Sequence, residues 1–249
     1  MIRTKETFSF KSLLSEAPRG QPLGVRWLRE RGLTSKHAAW LAKEGWLERL
    51  GHGAYVLPGE TLDRAATLAW MVPSVPGLHV AGKTALSWRG VRHNLAFQES
   101  LILWGDRPAK LPAWFTTRFP VHCQATHLFD ARMAPELGIA PLPAGNPDVP
   151  VSTPERALLE LLSDVGKGQT LEETRHLVEG ARSLRLPVLD ELLSHLTRIK
   201  VVRLAYALAD ELDLPWKSIA CQHSERLGGG KRWVSVGKSG ERLDLKRSP

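Results

Sequence analysis

The chain has 249 residues, enough for one large domain or two modest ones, and 43% hydrophobic with 24% charged residues is the composition of an ordinary globular protein. Its formal net charge of +8 favours a polyanionic partner. Two cysteines, Cys123 and Cys221, argue against a disulfide scaffold and favour a reducing compartment. Neither a signal peptide nor a membrane-spanning apolar run of about 20 residues is recognisable, so we expect a cytoplasmic protein with no membrane partner.

A helix–turn–helix is predicted near the N-terminus. An amphipathic segment, Thr7–Ala17, supplies a first helix, and a second helix stops at Gly32, a residue type that ends helices in a left-handed conformation. A third helix over Lys36–Glu44 buries apolar residues at helical spacing, with Thr34 or Ser35 as its cap.

A two-stranded ribbon follows these helices. The apolar runs Trp46–Leu50 and Ala54–Leu57 are separated by Gly51-His52-Gly53, whose glycines suit the positive φ angles of a hairpin. This order is that of a winged helix–turn–helix. The predicted fold class is therefore α+β: an N-terminal winged helix–turn–helix domain over residues 1–60, followed by a larger mixed α/β C-terminal domain over residues 61–249.

The exposed side of the third helix predicts contact with double-stranded DNA. The predicted DNA-binding residues are Ser35, Lys36, His37, Trp40 and Lys43 on this helix, with Arg49 and His52 on the wing. The N-terminal end of such a helix can approach phosphates or base edges in a major groove. Between Leu23 and Leu50, six basic residues stand against three acidic ones. The alternative is a three-helix module for protein contact, with these charges forming an ordinary solvated face.

The C-terminal domain begins with mixed elements and ends with helices. The predicted elements are a helix at Glu60–Met71, a strand at Leu78–Ala81, a helical turn at Lys83–Trp88, strands at Leu101–Trp104, Ala113–Phe119 and Val121–His127, and helices from Pro154, at Leu171–Leu184, Pro187–Ile199 and Val201–Leu212. From Lys217 the chain is strongly basic, and its last part alternates like a hairpin. This tail either contacts phosphates or is a solvated hairpin.

One segment matches the phosphate-binding loop of nucleotide hydrolases. Gly77–Thr84 satisfies GxxxxGK[ST], whose backbone amides and lysine bind phosphates, so a nucleotide-binding enzyme is an alternative function. The context argues against it. Val72–Pro76 carries two prolines where a central strand should run, and Leu78–Val80 is typical of a strand where the motif needs a loop.

No other pattern predicts catalysis or a metal site. His122, Cys123 and His127, like the pair Cys221 and His223, lack the spacing of structural zinc ligands. Asp244-Leu245-Lys246 has the D-x-K form found in nucleases but no paired upstream acid, and a G-x-S-x-G nucleophile elbow is missing. The chain is therefore predicted not to be an enzyme and to use no cofactor or metal.

Several segments, in their order along the chain, resemble the AbiEi antitoxins of type IV abortive-infection toxin–antitoxin systems. They are GWLERLGHGAYVLPG after the helix–turn–helix, HVAGKTALSWRGV, VPVSTPERALLELL, IKVVRLAYAL and the closing LGGGKRWVSVGKSGERLDLK. The chain departs from the family where it has Thr84-Ala85-Leu86 and Arg89-Gly90 in place of the usual S-A-L and His-Gly. Under this resemblance, the phosphate-loop match is a strand-to-helix junction.

The resemblance implies a bifunctional protein. The winged domain would bind inverted repeats in its own promoter through the seven residues named above and repress a two-gene operon. The C-terminal domain would counter a nucleotidyltransferase toxin without needing a stable complex with it. A stand-alone transcription factor with a ligand-sensing C-terminal domain is the remaining alternative.

Overall fold

The structure, a computed structural model, describes residues 10–91, 100–227, 233–236 and 242–245. The chain forms two compact units. The N-terminal unit comprises Met1–Ser74 and Lys110–Phe119, and the C-terminal unit comprises Val75–Ala109 and Pro120–Pro249. Within the described residues, every helix is too short or too polar to cross a bilayer.

Helices and strands alternate through the first half of the chain, and helices dominate the second. The described helices are α1 (Phe10–Glu16), α2 (Val25–Glu30), α3 (Ser35–Lys43), α4 (Arg64–Met71), α5 (Gly82–Trp88), α6 (Ala113–Arg118), α7 (Pro154–Asp164), α8 (Leu171–Glu179), α9 (Leu186–His195), α10 (Ile199–Glu211) and α11 (Lys217–Leu227). The described strands are β1 (Leu23–Gly24), β2 (Glu48–Gly51), β3 (Ala54–Val56), β4 (His79–Val80), β5 (Leu101–Trp104), β6 (Val121–Gln124), β7 (Ile139–Ala140), β8 (Val151–Ser152), β9 (Trp233–Val236) and β10 (Arg242–Leu245).

The N-terminal unit confirms the predicted winged helix–turn–helix. Strands β1, β3 and β2 form an antiparallel sheet in that order, with α2 and α3 placed between β1 and the β2–β3 wing. Gly32 after α2 has a φ of 79° and Gly53 in the wing a φ of 68°, both left-handed as the turns require. Residues 7–9 of the predicted first helix lie outside the described part. The core joins the three helices to the sheet through Leu13, Leu28, Leu41, Leu47 and Tyr55.

The prediction of a strand over Ala113–Phe119 is wrong, because this segment forms α6 in the N-terminal unit. Pro112 precedes the helix, where its missing N–H is not needed. Trp114 and Phe115 are both buried, and the Trp114 ring packs edge-on against Trp70 with 6.0 Å between centroids. Burial of two aromatic side chains outweighs the β propensity of this aromatic and β-branched segment.

Helix α4 belongs to the N-terminal unit as well and begins at Arg64, later than the predicted Glu60. Asp63 explains this start, since its carboxylate accepts a hydrogen bond of 2.8 Å from the Ala66 amide and caps the helix. A functional boundary at residue 60 stays a prediction.

A five-stranded mixed sheet forms one side of the C-terminal unit, in the order β6-β5-β4-β8-β7. Strand β4 pairs antiparallel with β5 and parallel with β8, while β5 and β6 run parallel. The buried α7 leads from β8 into the helical part of this unit. Leucines, valines and alanines from α7, α9 and α10 form the core together with the fully buried Trp216.

The helical part differs from the predictions in several bounds, among them α9, which ends at His195 and not at the predicted Ile199. Helix α8 ends at Glu179, short of the predicted Leu184, and α11 over Lys217–Leu227 was not expected within the basic tail. Helix α11 buries only Ala220 and Ser224. Its sequence is mostly polar, so its apolar periodicity is too weak to predict a helix. Small residues four apart can still pack closely on a neighbouring helix.

The two strands of the predicted closing hairpin are confirmed. Strand β9 pairs antiparallel with β10, with Trp233 opposite Leu245 at one end and Val236 opposite Arg242 at the other. The glycine-rich turns and most basic residues of the predicted tail, in 228–232, 237–241 and 246–249, lie outside the described residues. Asp244 of the D-x-K sequence lies within β10.

Candidate nucleic-acid interface

The recognition helix α3 begins at a capped N-terminus. The Thr34 hydroxyl accepts a hydrogen bond of 3.2 Å from the His37 amide, so Thr34, one of the two predicted residues, is the cap. The amides of Ser35 and Lys36 have no acceptor among the described residues. Such amides, together with the positive end of the helix dipole, suit a phosphate oxygen.

All seven predicted DNA-binding residues are exposed on the N-terminal unit. They are Ser35, Lys36, His37, Trp40 and Lys43 on α3, Arg49 on β2 and His52 at the tip of the wing. The opposite side of α3 buries Ala38 and Leu41 in the core. The amphipathic pattern thus determines which side of the helix faces outward.

Ion pairing leaves a positive surface on this unit. Arg26 pairs with Glu30 at 3.2 Å and Arg31 with Glu16 at 3.0 Å. The other four basic residues of the segment contact no carboxylate within 4.0 Å among the described residues: Arg29, Lys36, Lys43 and Arg49. Uncompensated exposed cations attract a polyanion at long range.

Arg29 is a further candidate that the sequence analysis did not include in the site. A shallow concavity of about 500 Å³ lies at the start of α3, and its lining includes Arg29, Thr34, Ser35 and Lys36. The Arg29 guanidinium lies 3.4 Å from the Ser35 hydroxyl. Only the turn between α2 and α3 brings Arg29 to the recognition helix, so its position was not evident from the sequence.

Trp46 is a second residue that the sequence analysis assigned differently. The segment Trp46–Leu50 was predicted as an apolar strand, but Trp46 lies in the turn after α3 and is 51% exposed. Trp40 on α3 is 54% exposed. Two large exposed aromatic side chains near the end of one helix are typical of an interaction surface.

The phosphate-loop match does not form a phosphate-binding loop. Its middle residues are β4, which pairs with β5 on one side and with β8 on the other. The Gly82 amide donates to Glu160 Oε2 at 3.0 Å, so a carboxylate already occupies the place of a phosphate. Thr84 is buried and accepts a 3.0 Å hydrogen bond from the Ile102 amide. The segment is a strand-to-helix junction.

Glu160 organises a buried polar cluster beneath this junction. Its carboxylate is fully buried and accepts hydrogen bonds from His79 Nε2, the Gly82 amide, the Ser152 hydroxyl and Arg156 Nε at 2.8–3.0 Å. Burial by itself raises the pKa of Glu160, but the charge and hydrogen bond of His79, followed by the charge of Arg156, lower it below its usual range. Because Glu160 is fully buried and its donors come from β4, α5, β8 and α7, the cluster links these elements in the interior of the unit.

The histidines and cysteines considered as metal ligands do not form a metal-binding group within the described residues. His122 and Cys123 point to opposite faces of β6, as neighbours on a strand do. The described residues contain no group of three or more His, Cys, Asp or Glu side chains placed to hold a metal ion.

Two family models match consecutive parts of the chain. The model described as "Transcriptional regulator, AbiEi antitoxin N-terminal domain" matches residues 6–97, and the model described as "Transcriptional regulator, AbiEi antitoxin, Type IV TA system" matches residues 98–246. No relative with a curated description matches the chain.

Among solved structures, the chain is similar to the RV2827C protein from Mycobacterium tuberculosis. The two share 17% identity at a TM-score of 0.61, over 87% of this chain and 79% of that chain. At this identity the similarity shows a common fold. The family models cover nearly the whole sequence, and the chain belongs to the AbiEi antitoxin family of transcriptional regulators from type IV toxin–antitoxin systems.

Proposed function

We propose that this protein represses its own operon by binding promoter inverted repeats through its winged helix, and that its C-terminal domain counters a nucleotidyltransferase toxin. Membership of a family of antitoxin regulators supports the combination of both activities. The observation that carries the DNA-binding half is the open N-terminal end of α3, with Arg29 and Lys36 beside it and without carboxylate partners.

The geometry supports insertion of α3 into a major groove. The free amides of Ser35 and Lys36 and the guanidinium of Arg29 would hold one backbone phosphate, which sets the position of the helix on the duplex. Lys43, about two turns further along α3, would reach a second phosphate. Trp40 lies between them and offers an apolar surface to thymine methyl groups.

The wing would contact the duplex beside the helix. Arg49 and His52 are exposed on β2 and the wing tip, and Arg49 Nε lies 3.4 Å from the Gly51 carbonyl of its own ribbon. Neither side chain has a carboxylate partner among the described residues. Contacts to the sugar–phosphate backbone would add affinity without reading sequence.

The antitoxin activity is proposed for the C-terminal unit because it has its own core and carries the second family match. The buried cluster around Glu160 and the helices α7, α9 and α10 make it a compact body. No direct, stable complex with the toxin is required by this proposal. The proposed partners are DNA and the toxin, and the proposal needs no cofactor.

The test is binding of the purified chain to DNA from upstream of its own gene across a salt series, with unrelated DNA of equal length alongside. We expect tight binding to the upstream DNA and much weaker binding to the unrelated DNA. Equal affinity and equal salt dependence for the upstream DNA and the unrelated DNA would show that the protein binds DNA only through non-specific charge attraction. Absence of binding would overturn the proposed role of the winged helix.

The antitoxin half is tested by co-expression with the nucleotidyltransferase toxin that the proposal places in the same operon. Growth restored by the full chain, measured against an empty vector, supports the proposal. Continued growth arrest at confirmed expression of the chain contradicts it. Because this readout needs no promoter binding, the two halves of the proposal can fail separately.

A further inference from the structure

A cavity of about 590 Å³ with several polar side chains in its lining lies within the C-terminal unit at the β6 edge of its sheet. We call it the β6–α7 pocket, and its polar lining consists mainly of Lys83, His122, Gln124, Asp164, Lys167 and Gln169. Its volume is within the range of small-molecule sites in proteins. Its described lining residues all belong to the C-terminal unit, so it shares none of them with the proposed DNA interface.

Strand β6, at the edge of the sheet, contributes two polar side chains to the pocket. The register pairs Ile102 with His122 and Trp104 with Gln124, which places these four side chains on one face of the sheet. Trp104 is buried among the core residues of this unit. At this edge of the sheet His122 is exposed and Gln124 is half-buried, so both side chains are accessible to a ligand in the pocket.

Asp164, at the end of α7, supplies the acceptor in the pocket. Gln124 Nε2 donates to both of its carboxylate oxygens at 2.8 Å, which fixes the orientation of the carboxyl group. Burial raises the pKa of Asp164, and the Gln124 amide and the charges of Lys167 and His122 offset only part of this effect. No cation lies within 4.0 Å of the carboxylate among the described residues, which leaves it able to accept a hydrogen bond from a ligand.

Three side chains supply donors that the protein does not use. The side chains of Lys167 and His122 make no hydrogen bond or ion pair with a described residue. Gln169 is only 5% exposed, and its Nε2 has no acceptor in the described part of the chain. Buried amide donors are rarely left without an acceptor, because the lost hydrogen bond to water is unfavourable.

Positive charge accumulates around this end of α7. Lys200 donates from Nζ to the carbonyls of Ser163 and Val165. Burial first, and then the positive charge of Lys167, lower the pKa of Lys200 to about 8. Asp164 is the acidic residue among these cations. At the rim of the pocket Lys83 pairs with Glu173 at 3.2 Å, and both side chains are at least one third exposed. An anion would meet a favourable field here.

We propose that the β6–α7 pocket binds a small phosphate monoester. Lys167, His122 and the Gln169 amide hold the phosphate oxygens, and Asp164 accepts a hydrogen bond from the hydroxyl of the monoanionic phosphate. A phosphate group supplies both the negative charge and the hydroxyl donor, whereas sulfate supplies only the charge. Ile102 and Leu161 line the remaining volume, which exceeds that of phosphate alone and accommodates the organic part.

The test is isothermal titration calorimetry of the full chain at constant ionic strength and pH 5.5, where phosphate monoesters, with a second pKa of about 6, are mostly monoanionic. The probes are inorganic phosphate, sulfate, glucose 6-phosphate and AMP. We expect saturable binding of phosphate, at least tenfold weaker binding of sulfate, and tighter binding of at least one ester. Lys167→Ala, with His122→Ala as a second variant, should each weaken ester binding about tenfold or more.

Lys217→Ala is the matched control, since it removes one lysine charge from the same unit but outside the pocket. Its affinity for the ester should remain within twofold of the wild type. Equal binding of sulfate and phosphate, equal losses in the Lys167 and Lys217 variants, or no saturable binding by the folded chain would each overturn the proposal. If inorganic phosphate binds as tightly as both esters, the assignment to an ester is wrong. No DNA is present, so the result is independent of the proposed repressor function.

Discussion

Glu160 shows how one buried side chain can account for a misleading sequence motif. The glycine and lysine that complete GxxxxGK[ST] are present, but the Gly82 amide is bound by a carboxylate that lies 78 residues away in the sequence. The strand character of Leu78–Val80 and the prolines before it indicated that the motif was coincidental. The identity of the group that replaces phosphate depends on packing of α7 against β4 and was not predictable from either segment.

Glu160→Gln should destabilise the chain by about 3 kcal/mol, because one of the four donors would then face an amide NH₂ and the buried Arg156 would lose its counter-charge. Urea denaturation followed by circular dichroism measures this change. Glu173→Gln, at the exposed ion pair with Lys83, is the control and should change the free energy of unfolding by less than about 1 kcal/mol. Equal effects of the two substitutions would contradict the role given to Glu160.

The lowered pKa of Glu155 makes the stability of the folded chain depend on pH. Glu155 lies in the first turn of α7, is 1% exposed, and receives hydrogen bonds from the Arg185 guanidinium and amide at 2.9–3.1 Å. Burial acts to raise the pKa of Glu155, but these hydrogen bonds lower it from 4.5 to about 2. A lowered pKa in the folded state contributes stability that is complete above pH 4.5 and is lost as the pH falls towards 2.

We therefore expect Glu155→Gln to be less stable than the wild type by about 2 kcal/mol at pH 7, with the difference shrinking between pH 5 and pH 2. Urea midpoints of both proteins at several pH values test this. A difference that stays constant with pH would show that lost packing, and not the charge of Glu155, is responsible.

At the scale of elements, helices with a clear apolar stripe and a start signal were predicted well. Helix α3 has Thr34 before it and two buried residues at a spacing of three, while α7 begins with Pro154 at its first turn. Helix α6 has no side-chain cap, and burial of Trp114 against Trp70 and of Phe115 stabilises its helical conformation. Local propensity is a weak preference that burial of large aromatic rings overrides.

The recognition helix gives a direct test on DNA. Lys36→Ala combined with Lys43→Ala should weaken promoter binding and reduce the slope of log K against log salt by about two, since each lost phosphate contact removes about one unit. Fluorescence anisotropy across a salt series measures both quantities. Arg175→Ala with Lys217→Ala removes the same charge from the C-terminal unit and should leave the slope nearly unchanged. An unchanged slope in the folded α3 variant would place α3 outside the interface.

At the scale of the whole molecule, a net charge of +8 favours a polyanion but does not select a sequence. Selectivity depends on where the uncompensated cations lie. In the N-terminal unit Arg26 and Arg31 form ion pairs, whereas the basic residues of α3 and the wing have no carboxylate partner within the described part of the chain. Each compact unit contains a hydrophobic cluster made of its own residues. We therefore expect substitutions on α3 to act on DNA binding alone.

The same α3 double variant should lose repression of a promoter–reporter fusion but still restore growth when the toxin is expressed from an unrelated promoter. Reporter activity and growth, measured in the same strain with matched protein levels, test the separation. If growth protection falls together with repression, the antitoxin activity depends on the winged helix, and the assignment of the two activities to two domains is wrong.

The sequence by itself determined the winged helix–turn–helix, the exposed side of α3 and the family, because these depend on local periodicity, caps, glycine turns and the order of short motifs. The tertiary structure decided the conformation of α6, the buried partners of Glu160, the approach of Arg29 to α3 and the β6–α7 pocket. Each of these depends on contacts between residues far apart in the chain, and no local pattern specifies which distant side chains will meet.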